Sequence, residues 1–197
     1  MRICIMISAM KILPKFCICS SILNLKQFWK AIMDKYFYIT SLLPILVFDK
    51  QPDITVDYFM TEAEKWTSNR DFQLLASLDL GDVEVHSSDP KTLKEIKATE
   101  LAIRNDLVAW RREKRAGREH KPTAFSLSLV KEGNPLMIEK NLLKFRWDVL
   151  SEKELDHHFD LEALIFYRLK LQILQRLAQF DKEKGLEKYK SMYKVSI

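Results

Sequence analysis

The chain has 197 residues, with 32 lysines and arginines against 27 aspartates and glutamates, and a formal net charge of +5. This length is sufficient for one domain with a hydrophobic core, or for two small ones. With only four glycines and no Walker or dinucleotide-binding motif, the sequence argues against a nucleotide-binding catalytic subunit of any motif-bearing class.

The first 32 residues differ in composition from the rest of the chain. They hold five basic residues, no acidic residue and all three cysteines, so they account for the whole net charge. The rest is balanced in charge, and the pI near 9.0 is therefore poor evidence for nucleic-acid binding. We interpret residues 1–32 as an extension outside the fold, either upstream of a natural start at Met33 or a weakly ordered arm, with a membrane-surface anchor as the alternative.

Residues 33–197 are predicted to form a single helical domain. The apolar segment 36–48 is interrupted by Pro44 and is predicted to be extended or strand-like, with a helix as the alternative. A short helix is expected from about Asp53, and Ser68 with Asp71 forms a capping signal for the next one. The sequence after residue 32 contains no run of about 18 uninterrupted apolar residues, so no transmembrane helix is expected there.

A long helix is predicted from Asp89 to Gly117. Asp89 followed by Pro90 is typical of an N-cap and first helical position, and Gly117 is typical of the C-terminal end. The apolar stripe consists of residues spaced three and four apart: Leu93, Ile96, Ile103, Leu107 and Trp110. Glu100 lies within that stripe and Arg104 follows one turn later, which indicates an intrahelical pair on a shape-specifying helix that packs against other helices.

The segment 118–134 has no regular helical pattern. Its alternating residues 124–130 predict a small β element that could pair only with the segment near 36–47, and a loop is the alternative. Asn134 and Pro135 predict a further helix start, Ser151 to Glu154 resembles a capping box, and Asp160 is expected to cap the last long helix. Gly185 is expected to end or bend that helix. The predicted fold class is therefore all-α, a helical bundle with at most one small β element.

Polar groups in two segments are candidates for chemistry or binding. Asp156, His158, Asp160 and Glu162 have spacings of four, but the two pairs face different directions on a helix, which favours a solvated helix junction over a metal site. The sequence has no recognisable nucleophile motif, so no catalytic, cofactor-binding or metal-binding residue is assigned. The basic run from Arg111 to Lys121 is predicted to be a solvated helix end or a partner contact, and a nucleic-acid interface is the less favoured interpretation.

Several segments within residues 33–197 together resemble a known bacterial family. These are Met33-Asp-Lys-Tyr-Phe-Tyr-Ile-Thr-Ser-Leu-Leu-Pro44, Glu100-Leu-Ala-Ile-Arg104-Asn-Asp-Leu-Val108, Leu143-Lys-Phe-Arg146-Trp147, His158-Phe-Asp-Leu-Glu162-Ala-Leu164 and Tyr167-Arg-Leu-Lys-Leu171-Gln-Ile173. They resemble an uncharacterised family encoded among V-type (A/V-type) ATPase genes. That family is itself similar to a shortened form of the C subunit of V-type ATPases, which is called the d subunit in eukaryotes. The resemblance extends over roughly residues 33–194.

The resemblance implies a helical, non-enzymatic component or accessory factor of a bacterial V-type ATPase. Such a protein would couple the cytoplasmic catalytic head to the membrane rotor ring and support proton or sodium transport. It would be cytoplasmic, peripheral to the plasma membrane at most, and would bind other ATPase subunits without a cofactor. By resemblance, Glu100, Arg104 and Arg146 would hold helices in register. The candidate partner contacts are Arg111, Arg112, Arg115 and Arg118. The alternative is a nucleic-acid-binding helical module that uses the basic run from Arg111 to Lys121.

Overall fold

The computed structural model describes residues 36–131 and 133–193, the side chain of Lys184 excepted, and these residues are mainly helical. The predictions made for residues 1–32 lie outside them. Residues 36–42 form the described part of helix α1. The other helices are α2 (Val56–Trp66), α3 (Asn69–Ser77), α4 (Lys91–Arg115), α5 (Ser128–Lys131), α6 (Pro135–Glu154), α7 (Leu161–Ala178) and α8 (Lys182–Tyr193). The all-α fold class is confirmed.

The prediction of a small β element is wrong, since the described residues contain no strand. Ile39 of α1 is fully buried, and Tyr36 and Leu43, the residue just after α1, pack against the same cluster, at the three- and four-residue spacing of a helix rather than the alternation of a strand. In the segment 124–130, the buried residues are Phe125 and Val130, five apart, and α5 begins at Ser128. Residues 36–42 thus adopt the helix that was the alternative prediction, and in the segment 124–130 burial against helices has overridden the local alternation.

Helix α7 is the centre of the fold and packs against α2, α3, α4 and α6. Nine of its eighteen residues are buried, so this helix is covered on more than one side. Asp160 caps it as predicted, because its side chain accepts a hydrogen bond from the backbone N–H of Ala163 at 2.9 Å.

The apolar residues form two clusters. The larger one joins α1, α2, α3, the first turns of α4, the second half of α6, and α7. The smaller one lies at the other end of α4, where Ile103 and Leu107 meet Phe125, Val130 and Leu142. Helix α4 therefore contributes to both clusters, and Glu100 lies on it between them.

Three of the predicted helix boundaries need correction. Helix α4 begins at Lys91 without a side-chain cap, because the Asp89 carboxylate is used elsewhere. The box from Ser151 to Glu154 is the last turn of α6, not the start of a helix. Gly185 neither ends α7, which stops at Ala178, nor interrupts α8, which runs through it.

Asp89 is used in a buried charge cluster that fixes the loop before α4. The Lys97 ammonium lies 3.0 Å from the Asp89 carboxylate and 2.8 Å from that of Asp82, and it donates to the Glu84 carbonyl at 2.7 Å. Burial alone would raise the pKa of Asp89, but the His86 N–H and Lys97 outweigh it, so the pKa is lowered. A local sequence signal for a cap has thus been overridden by a pairing eight residues away along the chain.

Candidate functional site

A cleft lined by arginines lies between α4, α6, α7 and the loop that follows α3. Its volume is about 460 Å³. Helix α4 contributes Glu100, Arg104 and Arg111, whose spacings of four and seven residues place them on one helical face. The remaining basic side chains of the cleft are Arg146 from α6, and Arg168 and Arg176 from α7.

Glu100 is the buried acceptor at the centre of this cleft. The Arg146 guanidinium binds it with two hydrogen bonds, from Nε to Oε2 at 2.7 Å and from Nη2 to Oε1 at 3.0 Å. Arg104 Nε adds a bond to Oε1 at 3.0 Å, and its Nη2 donates to the Gly81 carbonyl at 2.6 Å. The three residues predicted to set helix register are therefore in contact, and they join α4 to α6 and to the loop after α3.

Two arginines of the cleft lack any such partner. Arg111 makes no ion pair or hydrogen bond with a described residue. Arg168 has Nε and Nη1 atoms that are buried and have no hydrogen-bond partner among the described residues. Burial lowers the pKa of Arg168, and the carboxylates of Asp79 and Asp57 oppose that effect only in part. The cleft thus contains cationic groups that the described residues do not neutralise.

The four arginines proposed as partner contacts are all exposed, but they differ in what they contact. Arg111 faces the cleft. Arg118 bonds the Glu113 carboxylate with both Nε and Nη2, the latter at 3.1 Å, so its charge is already paired. Arg112 and Arg115 are exposed on the last turns of α4. The positive charge available along this run is therefore smaller than the sequence suggests.

A second concave site is an apolar groove between α1, the end of α6 and the start of α7, with a volume of about 690 Å³. Three large apolar side chains stand exposed along it: Ile45 at 92%, Leu155 at 72% and Phe159 at 45%. Phe37, also exposed, contacts the Phe159 ring with centroids 4.8 Å apart. A group of exposed apolar residues around a groove is typical of a protein interaction site.

The junction before α7 holds the only group of three candidate metal ligands found among the described residues, namely His157, Asp160 and Glu162. The carboxylate of Asp160 is already occupied, since Oδ2 lies 2.6 Å from His157 Nδ1 and Oδ1 accepts the capping hydrogen bond. The pairs suggested by sequence spacing, Asp156 with Asp160 and His158 with Glu162, do not correspond to this group. The bonds of Asp160 to His157 and to the backbone explain this group as a helix cap that is supported by a histidine.

Sequence reasoning missed both Arg168 and the exposed residues of the groove. The heptad-like spacing of α7 marks Arg168 only as a polar interruption, four residues after the buried Leu164 and four before Gln172. Ile45 and Leu155 lie next to helix ends, where no periodicity predicts their exposure. Their significance depends on which segments pack beside them.

A search of protein-family models found one match, to a family described as "Protein of unknown function (DUF2764)", over residues 125–195. This chain is similar to that family over α5 to α8, a minority of its length. Neither the curated proteins nor the solved structures contain a significant match. Among the described helices, none has the length and apolarity needed to cross a bilayer.

Proposed function

We propose that this protein is a non-catalytic component or accessory factor of a bacterial V-type ATPase, acting at the cytoplasmic face of the plasma membrane. In this role it links the catalytic head to the membrane rotor and supports ATP-driven proton or sodium transport. Two features support the proposal: the resemblance described above, and a helical body with an apolar groove of about 690 Å³.

The exposed apolar groove is the observation that carries the proposal. Ile45, Leu155 and Phe159 would each bury apolar surface against a partner, at about 25 cal/mol for every Å² removed from water. Another subunit that covers these side chains would remove their apolar surface from water, which favours association. We propose that an ATPase subunit of the stalk or rotor ring binds there.

The contacts of the basic run do not favour the nucleic-acid alternative. The pairing of Arg118 with Glu113 removes one cation from the basic run, and Arg111 turns toward the cleft. Phosphate-backbone binding instead relies on several cations presented together on one surface.

The test is affinity capture of the tagged protein from its native host after gentle detergent extraction. The catalytic-head subunits of the ATPase in the captured fraction are then quantified by mass spectrometry. We expect these subunits with the unaltered protein and at least a tenfold loss with Ile45→Asp, since a carboxylate in the groove must be desolvated on docking. The matched control is Val85→Asp, which places the same charge at an exposed β-branched residue in another non-helical segment and should leave capture unchanged.

Two results would contradict the proposal. One is the absence of the catalytic-head subunits from the captured fraction of the unaltered protein. The other is an intact, fully coupled ATPase in a host strain from which this protein has been deleted.

A further inference from the structure

The arginines of the cleft divide into engaged and unengaged groups. Arg104 and Arg146 bind Glu100, and Arg176 lies 3.7 Å from the Glu139 carboxylate. Arg111 and Arg168 form no ion pair with a described residue. Five guanidinium groups therefore face three carboxylates, those of Asp79, Glu100 and Glu139, which leaves the lining with an excess of two positive charges.

Arg168 is the most informative of these groups. An isolated buried N–H that lacks an acceptor costs free energy, and a buried cation without a paired counter-charge costs more. The sequence of α7 places this residue beside the buried Leu169 and Lys170, and Lys170 has its own partner in Glu154. Arg168 lines the cleft, and an anion bound there would supply the counter-charge that its guanidinium lacks.

The size and lining of the cleft restrict the ligand. A volume of about 460 Å³ exceeds that of a single small ion. Beside the arginines lie the apolar side chains of Leu107, Leu142 and Leu143. An anion that also carries an uncharged portion would use both parts of this lining.

We propose that this cleft binds a phosphate-bearing small molecule, with Arg111 and Arg168 as the anchoring cations. A phosphate monoester carries about −1.5 to −2 charges near neutral pH, which matches the excess of two positive charges. Planar guanidinium groups bind phosphate oxygens through pairs of parallel hydrogen bonds. The engaged pair of Arg104 and Arg146 holds the wall of the cleft in place. This site is separate from the apolar groove, and the inference does not depend on the proposed ATPase role.

The test is isothermal titration calorimetry of the full chain at low salt, with inorganic pyrophosphate and ADP as the two probes. We expect saturable binding of at least one probe at one site for each chain. Tighter binding of ADP identifies an organic phosphate as the ligand, whereas equal or tighter binding of pyrophosphate identifies an inorganic one. Arg168→Gln should weaken binding at least tenfold, and Arg111→Gln should weaken it severalfold.

The matched control is Arg112→Gln, which removes the same charge from the adjacent, exposed position of α4 and should leave the affinity unchanged. Succinate, a dianion without phosphate, should bind at least tenfold more weakly. Absence of saturable binding by both probes would overturn the inference. Equal loss with Arg112→Gln, or succinate binding as tight as pyrophosphate, would overturn it as well.

Thermal unfolding without ligand provides a second measurement. Because Arg168 lacks a hydrogen-bond partner at two of its nitrogen atoms, Arg168→Gln should leave the melting temperature unchanged or raise it by about 2–4 °C while it weakens binding at least tenfold. Loss of binding together with a large drop in melting temperature would show that the guanidinium is a structural group, and the inference would then fail.

Discussion

Glu100 is a single polar residue in an apolar stripe, and its hydrogen bonds join two helices. Its side chain is 8% exposed and accepts hydrogen bonds from arginines on two helices. The spacing of four residues predicts the bond to Arg104, whereas Arg146 is expected only from the family resemblance. The bidentate geometry of Arg146 could not be predicted, because it depends on how α4 crosses α6.

The two arginines bound to Glu100 should differ in their contribution to stability. Arg146 is 15% exposed and Arg104 is 41% exposed, so water can replace the hydrogen bond of Arg104 to Glu100 more easily than those of Arg146. We expect Arg146→Ala to lower the free energy of unfolding by about 2–4 kcal/mol, and Arg104→Ala to lower it by about 1 kcal/mol or less. Urea denaturation measures both changes.

Lys144→Ala is the control for this comparison. Lys144 lies on α6 as well, but its pair with Asp148 is half exposed. Its loss should change the free energy of unfolding by less than about 0.5 kcal/mol. Equal effects of Arg146→Ala and Lys144→Ala would contradict a register role for the Glu100 network.

His157 should make stability depend on pH. Its hydrogen bond to the Asp160 carboxylate raises the pKa of His157 above the ordinary value of 6.5, despite the opposing effect of burial. A raised pKa in the folded state stabilises the protein fully below pH 6.5, and this contribution is lost as the pH rises through the folded pKa. His157→Gln should reduce that decline, as measured by denaturant unfolding across this range. An unchanged pH profile in the variant would contradict the assignment.

At the scale of elements, the ends of the helices follow local chemistry where nothing else competes for the capping group. Asn134 and Ser68 accept hydrogen bonds from backbone N–H groups in the first turns of α6 and α3, as their sequences predict. Gly117 has a φ of 70° after the last turn of α4, where the Arg118 N–H bonds the Glu113 carbonyl. Asp89 departs from this rule because Lys97 engages it.

Two glycines should respond in opposite ways to the same substitution. Gly117→Ala should destabilise the protein by about 1 kcal/mol, because its positive φ is unfavourable for any residue with a Cβ atom. Gly185 lies inside α8 with no atom within 4 Å of an added Cβ, so Gly185→Ala should increase helicity there. Calorimetry tests the first change, and the helical signal in circular dichroism tests the second. Destabilisation by Gly185→Ala would indicate that α8 is not a regular helix at that residue.

At the scale of the whole molecule, burial is distributed unevenly among the helices. Helix α7 packs against four others, whereas α8 has no buried residue among those whose side chains are described. An isolated helix of 12 residues is only marginally stable in water. The stability of the molecule is therefore expected to be concentrated around α7.

Hydrogen exchange should reveal this difference directly. We expect the amides of α7 to be the most protected, and those of α8 to be among the helical amides that exchange fastest. The measurement is exchange followed by mass spectrometry of peptides from each helix. Protection of α8 equal to that of α7 would mean that a second surface covers α8 in solution.

Local signals in the sequence are enough to define the class of fold and most of the helices. Periodic apolar residues and capping groups place the starts of α2, α3, α4, α6 and α7 to within a few residues, because they act within one or two turns of the chain. The same signals were wrong for the β element and for Asp89, where more distant parts of the chain supply a partner, and also for the Ser151–Glu154 box and Gly185.

The pairing of polar groups, in contrast, is settled by the packing of the helices. Arg118 and Arg168 look alike in the sequence, yet the first is bound to Glu113 and the second has buried nitrogen atoms without an acceptor among the described residues. The physical reason is that pairing requires two groups to meet at hydrogen-bond distance, and for Arg168 this depends on three helices and a loop. The cleft and the apolar groove, on which the two proposals rest, are formed only when the helices pack together.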